Sequence, residues 1–273
     1  MGRLLLVVLL VFSCSQAGFA QEVRSTQSQF RQAPDPIEAF VGERLHYKIS
    51  FLWFSDLAEA SISFGRGESP GTYKAVLEAR TLGIAAWLTS DRVQRYVSLM
   101  TLDAEGHLRS LVHESHMIKG RGTKRQDRFS RYVFDYQRHR IVYRKAREGE
   151  FYLTKDYPLD IENPPSDILT AFYNFRAGFF GTPTPGAHFE VPTFTRKGTT
   201  KIVIDVLSSA RPGKLQFFPA DGLLCRVKVD KDVFGTGGGA IYAWVDPLGR
   251  PARGIVEDVI GLGDVRGILV QSK

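Results

Sequence analysis

Between residues 109 and 147 the chain carries twelve Lys or Arg side chains against three acidic ones, Glu114, Asp127 and Asp135. The window sums to 12 − 3 = +9 while the whole chain is +7, so the remainder sums to −2. Such a concentration suits an anionic envelope surface, phospholipid headgroups or lipopolysaccharide phosphates, where each basic residue contributes about 1 kcal/mol. Arg128, Arg131, Arg140 and Arg144 are the candidates for that contact. The alternative is a solvated outer face with cross-strand pairs, such as Asp135 with Arg140 or Arg144. Nucleic acid is not expected. In a two-residue repeat Tyr132, Phe134 and Tyr136 face away from Arg131 and Asp135, so the rings turn inward.

Other residue types that could do chemistry do not assemble. His113 and His116 are three apart in a strand-like stretch, which sends them to opposite faces, the wrong geometry for a shared metal. Thr236-Gly-Gly-Gly239 lacks the Lys-Ser/Thr and following helix of a phosphate loop. There is no GxSxG, and Cys225 sits on the apolar face of a strand pattern as an inert core thiol. The carboxylates are scattered, with no glycosidase-like pair. The sequence predicts neither catalytic residues, nor a metal, nor a cofactor, and the expected protein is not an enzyme.

The first residues set the compartment. Arg3, then nine apolar residues from Leu4 to Phe12, then small residues up to Ala20 have the layout of a secretory signal peptide (1–20). Nine helical residues rise about 14 Å, half the hydrocarbon thickness of a bilayer. Gly18-Phe19-Ala20 places small residues at the cleavage positions, giving a mature chain from Gln21 with charge 7 − 1 = +6. Val11-Phe12-Ser13-Cys14 is an imperfect lipobox, so a lipoprotein anchored at Cys14 is the alternative. No later run reaches eighteen apolar residues, and no transmembrane segment is expected after the signal is removed. Residues 21–39, with Pro34 and Pro36, read as an extended linker, and 40–273 as a single domain.

The elements that must position any site follow from periodicity. Leu45, Tyr47, Ile49, Phe51 and Trp53 alternate with polar residues, and the pattern recurs at Ala58–Phe64, Tyr73–Ala79, Tyr132–Tyr136, Ile202–Val206 and Leu223–Val229. Turn residues at 103–106, 137–139, 220–222 and 246–249 separate such runs. Burying the five apolar side chains of the first run contributes roughly 8 to 15 kcal/mol. Ordering its nine residues costs about 9 to 18, so no strand stands alone. A flat sheet of many strands would leave long unpaired edges. The fold predicted is therefore mainly β, a large curved antiparallel sheet forming a barrel or half-barrel. One segment differs: Ser166 and Asp167, then Ile168–Ala177, then Gly178 predict a helix over about 166–177, with Ser166 as cap. Ile168, Leu169, Phe172 and Phe175 lie on one of its faces. The helix packs on or across the sheet. Leu82–Leu88, with Trp87, is an apolar run that could form a lid over the barrel mouth or a core-packed connection.

Three blocks together resemble the bacterial domain of unknown function 3108 family: Gly42-Glu43-Arg-Leu45-His-Tyr47, Ser166-Asp167-Ile-Leu169-Thr-Ala-Phe172-Tyr173-Asn-Phe-Arg176, and Trp244-Val-Asp246-Pro-Leu-Gly-Arg250-Pro251 leading to Gly261–Leu269. The resemblance covers roughly 38–270. It implies an exported protein of a Gram-negative bacterium with a curved sheet or barrel and a helix, and it carries no activity or catalytic residue. Two functions are compatible with the whole. The first is a periplasmic binding protein for an apolar or lipidic ligand held by Tyr47, Phe51, Trp53, Trp87, Phe172 and Phe175, between the concave sheet and the helix. The second is an envelope interaction module working through the basic 109–147 surface. With 43% hydrophobic and 24% charged residues over 273, disorder, collagen-like repeats and a polytopic membrane protein are excluded.

Overall fold

The computed structural model describes residues 36–273, apart from 52–53, 84–85, 87–90, 209–211, 230–239 and 260–262. Among the described residues, eight strands come first. They are β1 (Arg44–Phe51), β2 (Phe54–Arg66), β3 (Thr72–Thr81), β4 (Val93–Leu102), β5 (Leu108–Lys119), β6 (Gln126–Asp135), β7 (Arg140–Arg147) and β8 (Glu150–Pro158). Helix α1 (Ile168–Arg176) follows. Six more strands complete the chain: β9 (His188–Thr195), β10 (Gly198–Val206), β11 (Leu223–Lys228), β12 (Ile241–Val245), β13 (Pro251–Val259) and β14 (Gly263–Ser272).

All fourteen belong to one antiparallel sheet. Its order is β8-β7-β6-β5-β4-β3-β2-β1-β14-β13-β12-β11-β10-β9, so every neighbour is a sequential hairpin except β1 with β14, which pair from Leu45↔Ser272 to Phe51↔Val265. The sheet is curved and does not close: β8 and β9 are its two edges. They approach through side chains instead of a ladder. The Phe194 ring of β9 stands edge-on to Tyr157 of β8 at 5.2 Å, and Tyr157 Oη donates to the Arg196 carbonyl at 2.7 Å. Ser166 adds a short parallel bridge to the β9 edge: its N–H donates to Pro192 O at 3.0 Å, and Phe194 N–H donates to Ser166 O at 2.9 Å. Pro192 fits here because an edge strand tolerates a residue that cannot donate on its outer side.

The expected alternation is realised. Leu45, Tyr47 and Ile49 of β1 are buried while Arg44, His46 and Lys48 are exposed, and Ala58, Ala60, Ile62 and Phe64 of β2 line the same interior. Helix α1 lies inside this hollow and is buried on all sides, polar residues included: Thr170, Asn174 and Arg176 are as enclosed as Leu169 and Phe172. The expected helix packed on the sheet is realised, with its polar side enclosed as well as its apolar one. Asp167, not Ser166, closes the first turn, its carboxylate accepting from Leu169 N–H and Thr170 N–H, because Ser166 is taken up by the β9 edge. Gly178, at φ +80°, takes the left-handed conformation that ends the helix. The domain also begins earlier than residue 40. Ile37 is fully buried in the core, so the end of the expected linker belongs to the fold.

Buried polar contacts hold α1 along its length. At the C-terminal end Arg176 forms a bidentate pair with Glu43, 2.5 and 2.6 Å, with its guanidinium 4.5 Å over the Phe40 ring. Burial alone would lower the arginine's pKa; the Glu43 carboxylate outweighs it and raises it. At the middle, Asn174 Nδ2 donates to Leu108 O at 2.8 Å and Leu108 N–H donates to Asn174 Oδ1 at 2.9 Å. At the N-terminal end Asp167 joins a polar network described next.

Candidate functional site

Asp167 reaches from α1 into β4 and β5. Ser98 Oγ donates to Asp167 Oδ1 at 2.5 Å and lies 2.8 Å from His113 Nδ1, which is itself 3.3 Å from the same carboxylate oxygen. Because the single Ser98 hydroxyl hydrogen is directed at Asp167, the network assigns a hydrogen to His113 Nδ1. Thr170 Oγ1 donates to Asp167 Oδ2 at 2.6 Å, and Asp167 N–H donates to Ser110 Oγ at 2.8 Å. Burial alone would raise the Asp167 carboxyl, but His113 and the Ser98 and Thr170 hydroxyls hold it well below the usual carboxylate range. Serine, histidine and aspartate are thus together without the order of a hydrolase. In a catalytic relay the imidazole stands between hydroxyl and carboxylate, one on each ring nitrogen. Here both share Nδ1, and Ser98 is fully buried.

His113 is also part of the wall of a cavity of about 430 Å³ on the concave side of β4–β8, floored by Ile168 at the start of α1 and covered by the β9–β10 turn. Its walls are rings. Tyr132 and Tyr143, opposite each other on β6 and β7, stack at 4.7 Å with 15° between planes, and Phe194 meets Tyr132 edge-on at 5.5 Å. Tyr96 and Tyr132 flank His113, each 6.0 Å away. Met117 adds an apolar patch, and Tyr152 of the β8 edge stands at the rim, 57% exposed. Burial raises the phenol pKa of Tyr132 and Tyr143, each reinforced by neighbouring tyrosines, so both stay neutral donors at physiological pH.

The charged lining residues all carry one sign: Arg128, Lys145, Arg196 and Lys197, with no Asp or Glu. A fifth cation stands behind them. Arg92 is 2% exposed, its guanidinium donates to Gln94 Oε1 at 2.6 Å, and Gln94, itself a lining residue, donates to the Tyr96 hydroxyl. Burial lowers the Arg92 pKa to about 10, and the charge of Arg128 works in the same direction.

This site is not the one the sequence predicted. Tyr47, Phe172 and Phe175 are core residues. Tyr47 Oη donates to Pro251 O at 2.9 Å, Phe175 meets Phe189 at 5.2 Å, and Phe51 packs partly buried against the same core. Among the described residues, Tyr47, Phe172 and Phe175 belong with the neighbouring strands to one buried cluster. Trp53 and Trp87 lie outside the described residues, as do the signal segment, Cys14 and Thr236–Gly239. The four arginines do not share a surface either. Arg128 is on the concave face. Arg131, Arg140 and Arg144 are on the convex face, as their positions along β6 and β7 require. There Arg131 pairs with Glu114 at 3.4 Å, and Arg140 with Asp135 at 3.6 Å and Asp156 at 2.8 Å, as expected for a face of cross-strand pairs. Cys225 is buried in the core, and His113 and His116 fall on opposite faces, His116 bonding to Asp127 at 2.7 Å. The cavity residues Tyr96, Tyr143 and Phe194 had no signal in the sequence, whereas Lys145 belongs to the basic 109–147 window. Tyr132 had one, its inward parity.

No family model matches the chain, and no curated protein does. Among solved structures it is similar to a beta-barrel-like protein of domain of unknown function DUF1849 from Brucella abortus, with 13% identity, a TM-score of 0.46, and coverage of 86% of this chain and 98% of that one. Among the described residues no helix is long and apolar enough to cross a membrane.

Proposed function

We propose that the chain is an exported, non-enzymatic binding protein of a Gram-negative cell envelope, and that its ligand is apolar or lipidic. The observation that carries this reading is the ring-walled cavity of about 430 Å³ between the concave face and the β9–β10 turn, within the 300 to 1,000 Å³ typical of ligand pockets. Tyr96, Tyr132, Tyr143 and Phe194 offer apolar area with few rotamers to freeze, and Tyr hydroxyls to orient a polar end. The arrangement of Ser98, His113 and Asp167 supports binding over catalysis, since its groups pin α1 in place. Export rests on the N-terminal residue pattern, and the resemblance to the domain of unknown function 3108 family agrees with it.

The test is to express the full chain in a Gram-negative host, isolate it from the periplasm and weigh it by native mass spectrometry. The reading expects a chain starting at Gln21, or a lipidated one starting at Cys14, with a retained hydrophobic molecule released on denaturation. A chain that stays uncleaved in the cytoplasm contradicts export. A chain that neither carries a small apolar molecule nor takes one up on incubation contradicts the binding role.

A second reading draws on a separate observation. Arg131, already paired with Glu114, stands directly opposite Arg144 on the convex face, a like-charge neighbour that an anionic surface would relieve further. That face would serve for contact with anionic envelope lipid.

A further inference from the structure

We propose that the ligand of the cavity ends in an acid: a hydrocarbon chain lies among the rings, and its carboxylate or phosphate headgroup is held at the rim by Arg128 and Lys145. The inference rests on the binding reading above and names the class of molecule bound. The four charged lining residues are all basic, with no acidic residue among them. The register concentrates that charge further. On the same concave face Arg128 is directly opposite Arg147, and Lys145 is opposite Ser130 one step along, so three cations occupy adjacent positions of β6 and β7. Lys145 and Arg147 both reach the Tyr152 ring, each 6.0 Å from its centre. Like charges facing each other across a ladder are destabilising, and low-dielectric walls strengthen their field inside a cleft. An anion placed among them relieves the repulsion and adds charge-assisted hydrogen bonds. Ser130 and the Tyr143 hydroxyl supply neutral donors beside the same positions. A neutral amphiphile of the same length would leave the cations facing one another.

The test uses the mature, full-length protein and three probes below their micellar concentrations: hexadecanoate, monohexadecyl phosphate and hexadecanol, titrated by calorimetry. Both acids are expected to bind at least tenfold tighter than the alcohol, with the gap narrowing as salt rises. The stronger of the two acids distinguishes a carboxylate from a phosphate source. In the double variant Arg128→Gln/Lys145→Gln the acid-to-alcohol ratio should fall to within about twofold of unity. Reading a ratio within one protein keeps a general loss of fold from imitating the effect. Arg144→Gln, on the convex face, should keep the parent's ratio. Equal binding of acids and alcohol, or a ratio untouched by the double variant, overturns the inference and leaves the cavity reading standing. Failure of all three probes to bind overturns the cavity reading as well.

Discussion

Glu43 and Arg176, 133 residues apart in the chain, meet in a bidentate ion pair with the arginine only 3% exposed. This pair joins the strand-opening block Gly42–Tyr47 to the helix block Ser166–Arg176. Tyr47, from the first block, donates in turn to the carbonyl of Pro251 in the third. The three blocks behind the family resemblance therefore converge in the core and fix α1 inside the sheet. They are framework, and the cavity lies beside them.

Removing one partner of that pair leaves a buried charge. Glu43→Ala should cost about 3 to 5 kcal/mol, because the Arg176 guanidinium remains enclosed. The melting temperature should fall by about 10 °C. Replacing both, Glu43→Leu with Arg176→Met, should recover much of the loss. Urea midpoints of the three proteins decide it, and equal midpoints for the single and double variants would count against the pair as the anchor.

Acid should loosen the other end of the helix. Asp167 is held below the usual carboxylate range, so its contribution is fully present above the unfolded value of about 3.9 and is lost as pH falls toward the folded value. Unfolding free energy should decline from about pH 4 downward. Asp167→Asn should be less stable at pH 7 and show a shallower acid decline. Some slope should remain, since three other carboxyls are also depressed, Asp135 by the backbone N–H of Arg138, Glu190 by Lys201, and Asp205 by hydrogen bonds from His188 and Arg226. Denaturant midpoints at pH 7 and pH 3 measure both.

Two glycines separate conformational strain from collision. Gly178 has φ +80° with open space around it, so Gly178→Ala should cost about 1 to 2 kcal/mol from the left-handed backbone alone. Gly222 has φ +68°, and a Cβ there would run into the Val245 carbonyl and the Trp244 ring. Gly222→Ala should therefore cost more than Gly178→Ala in thermal melting, and the reverse order would contradict the packing described at that turn.

The convex face offers a separate check. If Arg131 and Arg144 serve an anionic lipid surface, binding to phosphatidylglycerol vesicles should weaken with salt. Reversing both to Glu should lower it roughly tenfold or more, at about 1 kcal/mol per basic residue. Vesicle sedimentation that is indifferent to both changes would leave these residues with only their cross-strand role.

Most of the sheet was legible because burial on one face imposes a two-residue period, as in Leu45, Tyr47 and Ile49. The helix was legible from Ser166-Asp167 and Gly178. The choice of Asp167 over Ser166 as cap was not, since it depends on Ser166 bonding to β9, a long-range contact. Nor was the burial of Thr170, Asn174 and Arg176, polar types that suit a solvent face until Ser110, Leu108 and Glu43 are known to meet them. The cavity was the least legible of all. Tyr96, Tyr132, Tyr143 and Phe194 come from four strands, and only the β8–β9 seam brings Phe194 across to the other three. The large aromatics of the first strand and the helix, Tyr47, Phe172 and Phe175, belong to the buried core beside the cavity.

A crystal structure of the protein grown with 16-bromohexadecanoate tests the central claim most directly, since bromine gives an anomalous peak that locates the chain end. The peak should fall among Tyr96, Tyr132 and Phe194, with density for the carboxylate near Arg128 and Lys145. A peak between α1 and β1, or a cavity without bromine in crystals saturated with the acid, would contradict it.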